Sequence, residues 1–377
     1  MEELFEWLDR LDAVTPQDAN ALSESMKRVS SPSPLAFDRS VVRIVDTGQA
    51  LYPFGQVPSN FGVLAWLDRI PEGQSLGDQA LAAQIGALLT LATNRRIQVA
   101  ASDVTLTMQG STERTFLPSA HVLDSSLAGP VPADVKSRFE KLAGALYGLD
   151  RHDREVIGAA TELHYASALL FDLDPNAAYA LCVAGTERLS RAYGNAPAEW
   201  SAWEDASRLD GVFADLSLST EAAQRLREEI LANRHLRLRQ TFASYVTTSL
   251  PESFWDAEVE SYHPAIRMEP TGRSTFEKMQ PGVTTPIGRF VPQDRHTLRV
   301  QLLASYDARS SYVHEGRQGA ATLVSTLQPM IGIEPERRQP IAFAGLRQIL
   351  VTLILLEVNA RSKSRPLPRI QHVTTDG

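Results

Sequence analysis

An arginine, a serine and a histidine fall close together in the run Tyr306-Asp307-Ala308-Arg309-Ser310-Ser311-Tyr312-Val313-His314-Glu315-Gly316. Those residue types can carry acid–base and anion chemistry by themselves. An unperturbed imidazole titrates near ~6.5, so His314 can take or give a proton at neutral pH. A guanidinium holds its donors in a fixed fork, which suits Arg309 to an oxyanion on which charge builds up. Ser310 offers a hydroxyl that can orient either a phosphate or His314. The spacing limits how they combine. Each residue of an ideal helix turns ~100°, so positions 309 and 314 point about 140° apart. They serve one site only if His314 sits on an unwinding last turn, or if a second copy of the chain completes the site.

The spacing Arg-x(4–6)-His selects nothing alone, because the chain holds 32 arginines and eight histidines and also matches at Arg114/His121, Arg289/His296 and Arg365/His372. Those three pairs lie among turn or tail residues. Arg309/His314 rides on a helical run in which Tyr306, Ser310 and Val313 share one face at i, i+4 and i+7. Gly316 is the expected stop, since a left-handed cap position favours glycine. The plain alternative is an exposed arginine followed by a histidine that the helix dipole favours at its C-terminus.

Other chemistry-bearing groups carry less. Arg234, His235, Arg237 and Arg239 form a basic run that either contacts RNA or is a solvated helix face. His152-Asp153 lacks partner ligands for a metal, and Asp172, Asp174 and Asn176 lack the glycine and final glutamate of a calcium loop. No metal and no cofactor is expected. The single cysteine, Cys182, sits in a helical apolar run and reads as a buried structural thiol; it excludes an internal disulfide framework and fits a reducing compartment. Net charge is −8, so nucleic acid would be met by a local basic patch and not by the whole surface. The acidic start Met1-Glu2-Glu3 is unlike a secretory leader. Ile341 to Val358 is apolar but interrupted by Arg347, Gln348 and Glu357, which reads as a core helix and not a membrane span. A cytoplasmic protein with no membrane contact is the expectation.

The elements that must position these residues divide the chain. Residues 1–34 read as an N-terminal helix (1–12) and a linker at Val29–Pro34. Residues 35–128 read as a small mixed α/β domain, with strands at 41–45, 61–67 and 104–108 and a helix over 81–91; a protein partner or trigger acting on this unit is expected. From about 129 to 360 the pattern is helical. Pro132–Tyr147, Arg154–Leu170, a helix capped by Asp174-Pro175 and closed by Gly194, Thr220–Val246, the Arg309 helix opened by Asp294, Ala320–Leu327 and Ile341–Val358 build an all-α bundle. Residues 251–292, with nine prolines or glycines, read as a long irregular excursion, and 361–377 as a flexible tail. The fold class is therefore α+β.

At Tyr306 to Gly316 the chain resembles the Apea-like branch of the HEPN superfamily, whose members carry a Y-x-x-R-S-x-x-V-H-G-G-like stretch. It departs from that stretch at Glu315, with one glycine following. Two further segments resemble the family: Ala184-Gly185-Thr186-Glu187-Arg188-Leu189, like its acidic position on the first core helix, and Phe343 to Leu350. The resemblance spans about residues 150–360. It implies a helical bundle that pairs through the motif helix into a homodimer, and metal-independent RNA cleavage in a prokaryotic antiviral or toxin-like defence role. The implied catalytic residues are Arg309 and His314, with Ser310, Tyr306 and Glu187 in support, Glu187 fixing the guanidinium. A base to take the ribose 2′-hydroxyl proton and a cation for the phosphorane oxygens are what such a reaction needs. The rival expectation is a catalytically silent, dimeric binding or assembly module for RNA, nucleotide or protein.

Overall fold

The computed structural model describes residues 1–14, 22–33, 35–36, 41–49, 60–68, 79–103, 125–171, 173–195, 199–203, 206–233, 237–268, 274–316, 339–363 and 365–368. The expected strand at 104–108, the expected helix at 320–327 and Arg234 lie outside the described residues. The architecture is α+β, a small antiparallel sheet region followed by a mostly helical one.

Helix α1 (Glu2–Asp12) buries Leu4, Phe5, Trp7, Leu8 and Leu11. Strands β1 (Ser23–Ser31), β2 (Val42–Gln49), β3 (Asn60–Asp68) and β4 (Gln98–Asp103) form one sheet in the order β2-β3-β1-β4, with antiparallel pairings throughout. The expected linker at Val29–Pro34 is thus corrected. Most of it lies on or beside β1, a central strand paired on both edges, where Val29 is 2% exposed. Its serines conceal it in the sequence, because the backbone ladder of a central strand is satisfied by its neighbours whatever the side chains are.

Helix α2 (Gln79–Thr93) is apolar almost all round and is buried along nearly its whole length, which marks a helix enclosed by other elements. It packs on the sheet and α1, and also on α3 (Val135–Tyr147) and α4 (Arg151–Leu170). One continuous hydrophobic cluster therefore runs from Leu4 through Leu88 and Leu146 to Ile354, across the expected boundary near 128.

The helical part continues with α5 (Pro175–Tyr193), α6 (Ala206–Asp215), α7 (Thr220–Ala232), α8 (Leu238–Ser249), the short α9 (Ser253–Asp256), α10 (Arg295–Glu315) and α11 (Phe343–Arg361). Local signals set several of these ends. Asp174 caps α5 by accepting from Ala177 N at 3.0 Å, Pro175 follows, and Asp294 accepts from Thr297 N at 2.7 Å. Gly316 closes α10 in the left-handed region at φ 65°. The expected single helix Thr220–Val246 is two helices, α7 ending at Ala232 and α8 starting at Leu238. Leu226, on α7, is 41% exposed.

The expected excursion at 251–292 is also corrected, and with it the all-α description of the second part. Strands β5 (Glu258–Met268) and β6 (Ser274–Pro286) pair antiparallel over most of their length, with irregularities at Glu260/Tyr262 and Ala265/Ile266. In a two-stranded ribbon each strand has an unpaired edge, so Pro264 and Pro281 are accommodated where a central strand would reject them. The tail is docked at its start. Ser362 Oγ donates to Ala145 O at 2.6 Å, Arg365 N donates to Gly144 O at 3.1 Å, Arg365 pairs with Asp12, and Leu367 is buried. Gly144 allows this approach, since a Cβ there would meet Arg365 O at 2.5 Å. Residues 369–377 lie outside the described residues. Helix α11 is long and apolar enough to cross a membrane, yet 72% of it is buried inside the protein, against α3, α4, α5 and α8.

Candidate functional site

Helix α10 lies against α5 and α8, anchored by the buried Leu298, Leu302, Leu303 and Ser305. Ser305 Oγ donates to Gln301 O at 2.8 Å and accepts from Ile341 N at 3.0 Å, tying the helix to the segment that opens α11. The next residue, Tyr306, packs on the Phe242 ring of α8 with centroids 5.6 Å apart. Its phenol is pushed up by burial first and then by the charge of Glu187, so the hydroxyl stays protonated and available as a donor.

Glu187 on α5 is 5% exposed. Its Oε1 pairs with Arg191 Nη2 at 2.6 Å, one turn along the same helix, and its Oε2 lies 3.8 Å from Arg309 Nη2. A buried carboxylate thus sits between two guanidinia, which is how a charge in that position is made tolerable. Arg309 keeps a quarter of its side chain exposed, and at 3.8 Å the pair is a charge contact without a hydrogen bond: Glu187 Oε2 is buried with no hydrogen-bond partner among the described residues.

His314 goes elsewhere. The helix stays regular through Glu315, and Gly316 N closes it onto Tyr312 O at 3.2 Å, so no unwinding swings the imidazole toward Arg309. His314 is exposed, as is Val313 at 51%, although Val313 shares a helix face with the half-buried Tyr306. Ser310 is half-buried between them. Beside this end, Tyr312 Oη donates to Asp174 Oδ2 at 3.1 Å, bringing the start of α5 against the end of α10. Leu173, next to Asp174, is 64% exposed. A single chain therefore brings together Arg309, Glu187 and Tyr306, while His314 sits apart on the exposed end of α10.

No family model, no curated protein and no solved structure matches this chain.

Of the basic run, Arg237 and Arg239 are among the described residues, and they are held in different ways. Arg239 grips Asp307 of α10 with Nε to Oδ1 and Nη2 to Oδ2, both at 2.8 Å, so it fastens α8 to α10. Arg237 occupies the N-cap position of α8 and is 8% exposed, off the surface an RNA would touch. Cys182 is fully buried with Sγ 3.2 Å from Ser167 Oγ. Asp153 accepts from Tyr193 Oη at 2.8 Å.

Sequence reasoning missed Arg191, although its i, i+4 spacing from Glu187 is a signal for a paired charge. It also missed a buried polar group between α2, α4 and α11. Arg347 is fully buried and donates to Asn94 Oδ1 and, at 2.6 Å, to Ser126 Oγ. His164 on α4 is fully buried, with neither ring nitrogen hydrogen-bonded among the described residues. Burial, aided by the Arg347 charge, lowers its pKa to about 3.

Proposed function

We propose that this chain is a metal-independent endoribonuclease of HEPN type, acting as a homodimer in which Arg309 of one copy and His314 of the other line a common cleft. In this reading His314 takes the ribose 2′-hydroxyl proton and Arg309 stabilises the phosphorane oxygens. Tyr306 and Ser310 position the phosphate. The observation that carries the reading is the guanidinium of Arg309 backed by the buried Glu187 at 3.8 Å. That is the pairing the resemblance implies, made between two segments far apart in sequence. The exposed Val313, next to His314, and the exposed Leu173, next to the α5 cap residue Asp174 that Tyr312 contacts, supply apolar area for a second copy, and an isologous pairing across a two-fold axis removes the 140° objection. A cytoplasmic defence or toxin-like role belongs to the same proposal.

The second reading, a silent dimeric binding module, is favoured by the separation of Arg309 and His314 within one chain. Cleavage of RNA in excess chelator separates the two. Wild type should yield fragments ending in cyclic phosphate, and His314→Ala and Arg309→Ala should each yield none. Mixing the two inactive variants should restore part of the activity, because a mixed dimer retains one intact Arg309 and one intact His314. Failure of the mixture to cut, with dimers formed, would end the composite-site reading. RNA retention without fragments from wild type would favour the binding module.

A further inference from the structure

Helix α5 carries a single acidic residue, Glu187, and two arginines in its second half, Arg188 and Arg191. Glu187 is 5% exposed and faces α10, whereas Arg188 is exposed and Arg191 keeps 47% of its side chain exposed. At ~100° per residue, Arg191 lies about 40° round the helix from Glu187, and Arg188 about 60° further in the same sense. Arg191 and Arg309 share the one carboxylate, at 2.6 and 3.8 Å. The Tyr306 hydroxyl feels the charges of Glu187, Arg309 and Arg191 together, which puts all three at one place. The order across the surface is therefore Arg309, Arg191, Arg188, with Glu187 beneath the first two.

The charge of this row is not balanced. Arg188 has no ion-pair or hydrogen-bond partner among the described residues. Helix α8 has no acidic residue, and Asp307 on α10 is held bidentately by Arg239. Glu315, the other carboxylate of α10, lies at the far end of that helix. Three guanidinia thus stand against one buried carboxylate, an excess of two positive charges on a chain whose net charge is −8. Like charges one turn apart on a helix repel, and an anion between Arg188 and Arg191 removes that repulsion.

We propose that Arg188 and Arg191 form a backbone subsite for an RNA strand, taking the phosphates that follow the one at Arg309. A guanidinium matches phosphate with its planar fork of donors, and contacts of this kind hold a strand in register without reading its bases. The inference rests on the ribonuclease reading for the phosphate assigned to Arg309. It adds the substrate class, a strand with several consecutive phosphates in place of a dinucleoside monophosphate.

A 2′-O-methyl strand of about eight nucleotides has no free 2′-hydroxyl to attack, so its binding by fluorescence anisotropy reads the subsite whether or not the protein cuts. In a plot of log K against log salt, Arg188→Gln and Arg191→Gln should each make the slope shallower by about 0.7, the share of one phosphate on a single strand. Affinity at low salt should fall up to about fivefold. Arg188→Lys should keep the slope, and Arg138→Gln, which removes a half-exposed charge on α3, should leave slope and affinity as they are. An unchanged slope in Arg188→Gln or Arg191→Gln, an equal loss in Arg138→Gln, or no binding by wild type at millimolar strand would each overturn the subsite, even if wild type cleaves RNA. Shallower slopes with no cleavage of unmodified RNA would sink the ribonuclease reading and leave the subsite standing.

Discussion

His164 gives the sharpest test of the structure's electrostatics. It is enclosed on α4 with both ring nitrogens unbonded among the described residues, and burial together with Arg347 brings its pKa from 6.5 down to about 3. Above pH 6.5 the imidazole is neutral in folded and unfolded chains alike, so it adds no pH dependence. Below 6.5 the unfolded chain takes up a proton that the folded one refuses, and stability falls with pH until about pH 3. At about 1.4 kcal/mol per pH unit the full span corresponds to roughly 5 kcal/mol, and the stretch from pH 7 to pH 4.5 to about 3 kcal/mol. His164→Leu keeps similar bulk and removes both the titration and the two unsatisfied nitrogens. Urea unfolding at pH 7 and pH 4.5 should show the variant at least as stable as wild type at pH 7. It should also lose about 3 kcal/mol less on acidification. Equal acid sensitivity in the two proteins, or an imidazole that titrates near 6.5 by NMR in the folded state, would refute the burial argument.

Two further outcomes follow from single contacts. Gly316→Ala puts a Cβ on a residue at φ 65° with open space around it, so only backbone strain acts, and thermal unfolding should report a loss of about 1–2 kcal/mol; an unchanged melting temperature would argue against the left-handed cap. Arg239→Ala removes a bidentate pair with Asp307 whose side chains are 36% and 55% exposed, so solvent screening holds the loss to about 0.2–1 kcal/mol. RNA retention in a filter assay should be unaffected, and a drop with folding intact would restore Arg239 as an RNA contact.

The sequence by itself determined the elements whose ends are local. Asp174-Pro175, Asp294 and Gly316 marked the helices they bound, because a cap is a contact between neighbours in the chain. The apolar run of α11 announced a core helix for the same reason. Even the divergence of Arg309 and His314 was readable, since it follows from helix pitch once Gly316 fixes the end. Tertiary structure decided what depends on distant partners. A serine-rich segment became the central strand β1, and a segment rich in proline and glycine became the β5–β6 hairpin, because ladder bonds come from another strand and leave little mark on either one. The meeting of Glu187 with Arg309, the use of Arg239 to hold Asp307, and the burial of His164 beside Arg347 were set by how α4, α5, α8, α10 and α11 pack. A charge shows in the sequence. What neutralises it is fixed only when the chain has folded around it.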